Sequence, residues 1–81
     1  MQNRHAQDWV LYTTAGCHLC EHAESIMAAL SLSYRLVDIA DRDEWIARYG
    51  VRIPVVATSS GRELGWPFDG KMLTDFLSVD V

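Results

Sequence analysis

The sequence predicts a single α/β domain in the order β-α-β-α-β-β-α, built on a central four-stranded mixed sheet. Length and composition come first: 81 residues, 49% of them hydrophobic, suit one domain with its own packed core. Short runs of β-branched and aromatic residues alternate with segments whose apolar residues recur at helical spacing. The opening strand, helix and strand form a βαβ unit, which implies parallel strands.

Residues 1–8 are polar and read as a loose lead-in, leaving 9–81 as the domain. Trp9-Val10-Leu11-Tyr12-Thr13 is a continuous run of strand-favouring residues and reads as a buried strand. Thr14-Ala15-Gly16 is a turn, and the cysteine pair then opens a helix. Leu19, Ala23, Ile26 and Leu30 form its expected apolar stripe, with Glu21, Glu24 and Ser25 facing water. The two glutamates lie near the helix start, where the macrodipole favours acids.

Tyr34–Ile39 reads as the second strand. Asp41 and Glu44 are spaced as a capping box, and Gly50 supplies the stop, so a short helix is expected over 42–49. Residues 55–58 and 62–66 flank Ser59-Ser60-Gly61 and predict a hairpin. Asp69 is placed to cap a last helix running to Ser78, with Phe68 and Leu73 at hydrophobic-staple positions.

Charge narrows the function. The net charge is −4, from 11 acidic and 7 basic residues, and the arginines at 35, 42, 48, 52 and 62 form no basic stripe. A nucleic-acid partner is not expected. No apolar run has the length of a membrane span, and residues 1–8 lack the apolar stretch of a secretory leader. A cytoplasmic monomer that associates with no membrane is the expectation.

Cys17-His18-Leu19-Cys20 carries the chemistry. A cysteine at a helix N-terminus faces unpaired N–H groups and the positive end of the dipole. Both stabilise thiolate over thiol, which makes Cys17 the expected nucleophile. Cys20, about one helical turn further on, is placed to resolve the mixed disulfide that Cys17 forms with a substrate. A disulfide closing so small a loop removes little chain entropy, which argues against a structural staple. His18, between the cysteines, would favour the Cys17 thiolate when protonated.

Cys17, His18, Cys20 and His22 also supply four metal-donor side chains within six residues. A structural zinc site usually takes its ligands from two chain segments, and this sequence has no second cysteine pair. No protein-only metal site is therefore expected. A cluster shared between two chains, with glutathione supplying thiolates, stays open. Pro54 must either begin a strand or lie at a sheet edge, since it has no N–H to donate.

Taken together, Leu11-Tyr12, Cys17-His18-Leu19-Cys20, Val51-Arg52-Ile53-Pro54-Val55 and the stretch from Gly65 to Asp69 resemble the glutaredoxins. The resemblance is specifically to small bacterial glutaredoxin-like proteins and spans about Trp9 to Val79. It implies a thioredoxin-like fold in its minimal, glutaredoxin-type form and a role in cell redox homeostasis and electron transport. It also implies a cis Pro54 beside the nucleophile. The Ile53 backbone would then pair with substrate, and Gly65 and Trp66 would complete a substrate site. The implied partner is glutathione, as co-substrate, or a protein dithiol or disulfide, with no cofactor beyond the redox-active pair.

Departures from the family pattern are specific. The sequence has neither C-P-Y-C nor C-G-P-C, and no buried acid on the first strand. Thr14 stands where a cation often holds a glutathione carboxylate, and Gly65-Trp66 replaces paired glycines. A thiol–disulfide oxidoreductase that uses glutathione poorly is the leading expectation. The alternative is a non-catalytic binding module on the same scaffold, holding a metal, an Fe–S cluster or a partner.

Overall fold

A computed structural model describes residues 9–78; the expected lead-in and the last three residues of the expected domain lie outside the described residues. The elements follow the predicted order: β1 (Val10–Thr13), α1 (His18–Ala29), β2 (Arg35–Asp38), α2 (Asp43–Tyr49), β3 (Val55–Ala57), β4 (Glu63–Gly65) and α3 (Gly70–Ser78). The sheet order is β2-β1-β3-β4, with β1 parallel to β2 and antiparallel to β3, and β3 antiparallel to β4. This is the expected mixed sheet.

Register sorts the core into two layers. Leu11 lies opposite Val56, and Tyr12 opposite Val55. Neighbouring strand residues point to opposite faces, so the two pairs serve different layers. Leu11 and Val56 join Ala23 and Met27 of α1 and Leu73 and Leu77 of α3. Val55 joins Ile39 and Tyr49, with Tyr12, Trp45 and Ile53 packed around them. Thus α1 and α3 cover one face and α2 the other. Leu11, Met27 and Leu73 are fully buried, each contributing about 1.5–3 kcal/mol.

Three local expectations are corrected. Leu19 is 48% exposed, and the buried face of α1 is Cys20, Ala23 and Met27, with Ile26 and Leu30 only half-buried. At about 100° per residue, the inward face is turned by roughly 60° from the predicted stripe. Turning Cys20 inward beneath Cys17 leaves Leu19 on the outer side.

Secondly, the Asp41–Glu44 capping box does not form. The Asp38 carboxylate accepts from the Ala40 N–H at 2.9 Å and opens a 3-10 turn over Ile39–Asp41. Asp41 is consumed by that turn, and α2 starts one step later, with Arg42 at its N-cap making no side-chain cap bond.

Thirdly, Gly50 ends α2 without the left-handed geometry usual for a terminal glycine. Its φ is −52°, and its N–H still donates to the Ile46 carbonyl at 2.9 Å. A Cβ there would lie 2.6 Å from the Ile46 carbonyl oxygen, so close approach is what requires glycine.

Elsewhere the local chemistry is as read. Gly61 turns the hairpin at φ +93°, and the Thr58 N–H donates to the Arg62 carbonyl. The Met72 N–H donates to the Asp69 carboxylate at 2.8 Å, and Phe68 and Leu73 share one buried cluster.

One polar clamp ties α2 to the hairpin. The Tyr49 hydroxyl donates to Glu63 at 2.6 Å, and Arg48 and Arg52 reach the same carboxylate at 3.3 and 3.0 Å. The Tyr49 hydroxyl holds the Glu63 carboxyl below its ordinary range, helped by Arg52 and Arg48 and opposed by burial. Burial, followed by the bond to Glu63, raises the Tyr49 hydroxyl. Both guanidinium groups are well exposed, so the tyrosine bond is the main contribution.

Glu63→Gln is therefore expected to cost about 1 kcal/mol of stability at neutral pH. A carboxyl whose folded pKa is lowered stabilises fully above its unfolded value, about 4.3, and loses that contribution as pH falls through the folded value. Urea unfolding against pH should show the gap between wild type and variant closing in acid. A gap that widens in acid would contradict this account.

Candidate active site

The site begins where β1 ends. Thr14-Ala15-Gly16 turns the chain, and Gly16 adopts φ +78°, a left-handed conformation that glycine takes at little cost. Cys17 follows as the N-cap of α1, in extended conformation at φ −94° and ψ 105°. Its sulfur accepts the Cys20 N–H at 3.1 Å, occupying the position of a capping oxygen. Its carbonyl accepts the Glu21 N–H at 3.2 Å. The two cysteines form a disulfide, with their Cα atoms 5.2 Å apart. Cys17 is half-buried, whereas Cys20 is 1% exposed. The outer sulfur therefore sits on the helix N-terminus, and the inner one lies beneath it.

Extension of the β1–β3 register by one residue places Pro54 opposite Thr13. The Ile53–Pro54 bond is cis, as the resemblance implies, and Pro54 is buried. It directly precedes β3, consistent with the strand-start position. The Trp66 N–H donates to the Pro54 carbonyl at 3.1 Å, and Gly65 pairs with Val55, so Ile53, Pro54, Gly65 and Trp66 come together. The Trp66 ring lies 5.4 Å from the His22 ring of α1 and packs edge-on to Phe68. His18 is exposed at the first position of α1.

The Ile53 backbone differs from its expected role. Its N–H donates to the Tyr49 carbonyl at 3.0 Å, closing the end of α2. Its carbonyl accepts no hydrogen bond among the described residues.

A cleft of about 450 Å³ opens beside the disulfide on the β2 side, lined by Cys17, Cys20 and the Thr14–Gly16 turn. None of Ile53, Pro54, Gly65 and Trp66 lines it. The Thr14 hydroxyl donates to the Asp38 carboxylate at 3.1 Å. Arg48 and Arg52, the cations nearest Pro54 in sequence, are both engaged by Glu63. Among the described residues, no group of His, Cys, Asp or Glu side chains gathers as a metal site. No described helix is long and apolar enough to cross a membrane.

Asp38 and Glu63 were not singled out from sequence. The parallel register that pairs Thr13 with Asp38 is the signal for the first. It becomes readable only once β1 and β2 are known to be neighbours.

A helix-capping CxxC disulfide at the end of the first strand of this sheet defines a thioredoxin-like protein. More narrowly, residues 9–78 match the family profile described as Glutaredoxin-like domain (DUF836), and the chain belongs to that family. Solved structures agree. A protein from X. campestris, XcR50, is 38% identical, with a TM-score of 0.82 over 88% of this chain and 96% of that one. Protein Ne2328 from Nitrosomonas europaea is 23% identical, with a TM-score of 0.73 over 94% and 98% of the two chains. Glutaredoxin C1 from Populus tremula x tremuloides, in its holo form, shares the fold at 15% identity and a TM-score of 0.57 over 91% and 77%. No curated protein matches the sequence.

With the disulfide reduced, alkylation is expected to strike Cys17 first. Rate against pH should titrate lower in Cys20→Ser, which keeps Cys17, than in Cys17→Ser. The opposite order would exchange the roles of the two cysteines.

Proposed function

We propose that this protein is a thiol–disulfide oxidoreductase, with Cys17 as nucleophile and Cys20 as resolving thiol. The observation that carries this reading is the sulfur of Cys17 at the N-cap of α1, receiving the Cys20 amide. Donors and dipole there stabilise a thiolate, the form that attacks disulfides. Reduced Cys17 attacks a substrate sulfur to form a mixed disulfide. Cys20, held a turn away and shielded from solvent, then attacks Cys17 and releases the second thiol. In this reading the Ile53 carbonyl docks the substrate chain, the buried Pro54 fixes the segment that carries it, and His18 tunes the thiolate.

Cys20→Ser is the direct test. It should trap a mixed disulfide on Cys17 that mass spectrometry detects, whereas Cys17→Ser should trap none. Trapping on neither variant, together with a chromophore on freshly purified protein, would favour the binding-module alternative.

Glutathione is expected to be a poor co-substrate. Thr14 directs its hydroxyl to Asp38 where the resemblance would place a cation. Trp66, its ring against His22, adds bulk where the resemblance implies a small glycine. Each missing charge-assisted donor is worth about 1.5–3 kcal/mol, so two such losses weaken binding by about 10²-fold or more. Deglutathionylation should therefore run well below ordinary glutaredoxin rates and rise in Thr14→Lys. Ordinary rates in the wild type would sink this expectation.

A further inference from the structure

The cleft beside the disulfide carries charge of one sign. Glu21 and Glu24 enter it from α1, Asp38 from the end of β2, and Asp41 from the 3-10 turn that follows. No lysine or arginine is among its lining residues. Glu21 and Asp41 are exposed, Glu24 and Asp38 half-buried, and none of the four is in an ion pair among the described residues. Asp38 is held in place by the Thr14 hydroxyl and the Ala40 N–H, which supply no compensating charge. The same walls contain the sulfur that would react. Any disulfide that reaches Cys17 from this side enters a field set by four carboxylates.

We infer that this cleft selects disulfides flanked by protonated amines, so that Glu21, Glu24, Asp38 and Asp41 are its specificity-determining residues. The inference rests on the thiol–disulfide exchange reading above and names the substrate class for the same site. Opposite charges within a few ångströms attract even near the surface, and a cleft lined by one sign raises the local concentration of the counter-charged ligand. Glutathione disulfide, with its excess of carboxylates, is repelled by the same field.

The chemistry balances without a further reagent. The Cys17 thiolate forms a bond to one substrate sulfur, the substrate S–S bond breaks, and the departing thiolate takes up a proton. Cys20, as thiolate, then attacks the Cys17 sulfur; the mixed disulfide breaks, and the second substrate thiolate is protonated. The protein dithiol loses two electrons and two protons and becomes the Cys17–Cys20 disulfide. The substrate disulfide gains both and leaves as two thiols.

The test is single-turnover oxidation of the reduced, full-length protein by disulfides of graded charge. The probes are cystamine (cationic), bis(2-hydroxyethyl) disulfide (neutral) and dithiodiglycolate (anionic), with each rate divided by its rate on dithiothreitol to remove intrinsic reactivity. The normalised order should be cationic, neutral, anionic, with cystamine favoured over the neutral probe by about tenfold at low salt. Added salt should shrink that ratio. The Glu21→Gln/Glu24→Gln double variant should lower the ratio of cationic to neutral rates, a readout from which any general change in Cys17 reactivity cancels. Asp41→Asn, on a separate turn, repeats the test should the helix variant fold poorly.

A peptide disulfide set between lysines, run beside cystamine, separates a basic chain segment from a small diamine as the better cationic substrate. Equal normalised rates for the three probes would overturn the charge selection while leaving the exchange reading standing. Oxidation by none of them would overturn both. A ratio unchanged in every carboxylate variant would overturn the assignment to these residues.

Discussion

The antiparallel pairing of β1 with β3 is the constraint on which the rest of the molecule depends. Tyr12 opposite Val55 and Leu11 opposite Val56 assign each central side chain to a layer. Two helices pack on the Leu11–Val56 face and one on the Tyr12–Val55 face. The same pairing brings the segment leading to Cys17 and the segment carrying Pro54 to one end of the sheet. β1 leaves the sheet toward Cys17 just where Pro54 enters it toward β3. A slip of one residue would send Leu11 to the Tyr49 layer and carry Pro54 away from the turn, because strand side chains alternate.

From that pairing the site follows by short steps. Thr13 ends β1, Gly16 takes the left-handed conformation, and Cys17 arrives at the helix N-terminus with its sulfur in the capping position. The inner cysteine then occupies a core position that would otherwise take an ordinary apolar residue, beside Ala23 and Met27 in the α1 pattern. Burial of Cys20 and partial exposure of Cys17 are thus one consequence of helix rotation. That rotation also puts Leu19 into solvent.

The polar parts of the molecule divide cleanly. Glu63 gathers Tyr49, Arg48 and Arg52 and fastens the end of α2, and with it the segment leading to Pro54, to the hairpin. This engages two cations away from the disulfide cleft. On the opposite side of Cys17, Asp38 spans from β2 to Thr14 and starts the 3-10 turn that carries Asp41. With Arg48 and Arg52 held by Glu63 and no lysine or arginine lining the cleft, its carboxylates set its sign.

Element order, the CxxC pair and the Asp69 cap were legible in the sequence, because each rests on residues close together along the chain. Period, turn residues and capping chemistry are local signals, and the CxxC spacing falls at a strand–helix junction that those signals locate. What the sequence left undecided involves partners distant in the chain. The rotation of α1 was misread because Leu19 and Met27 are equally apolar, and only packing against the sheet chooses between them. The Asp41 capping box lost to Asp38, whose position is set by pairing with β1. The Ile53 N–H went to Tyr49, since the tightened end of α2 lies within its reach. The acidic cleft draws on residues from 13 to 41, scattered in sequence and assembled only by the parallel β1–β2 register. Local stereochemistry is written into neighbouring residues, whereas the sign of a cleft and the face of a helix are settled by long-range packing.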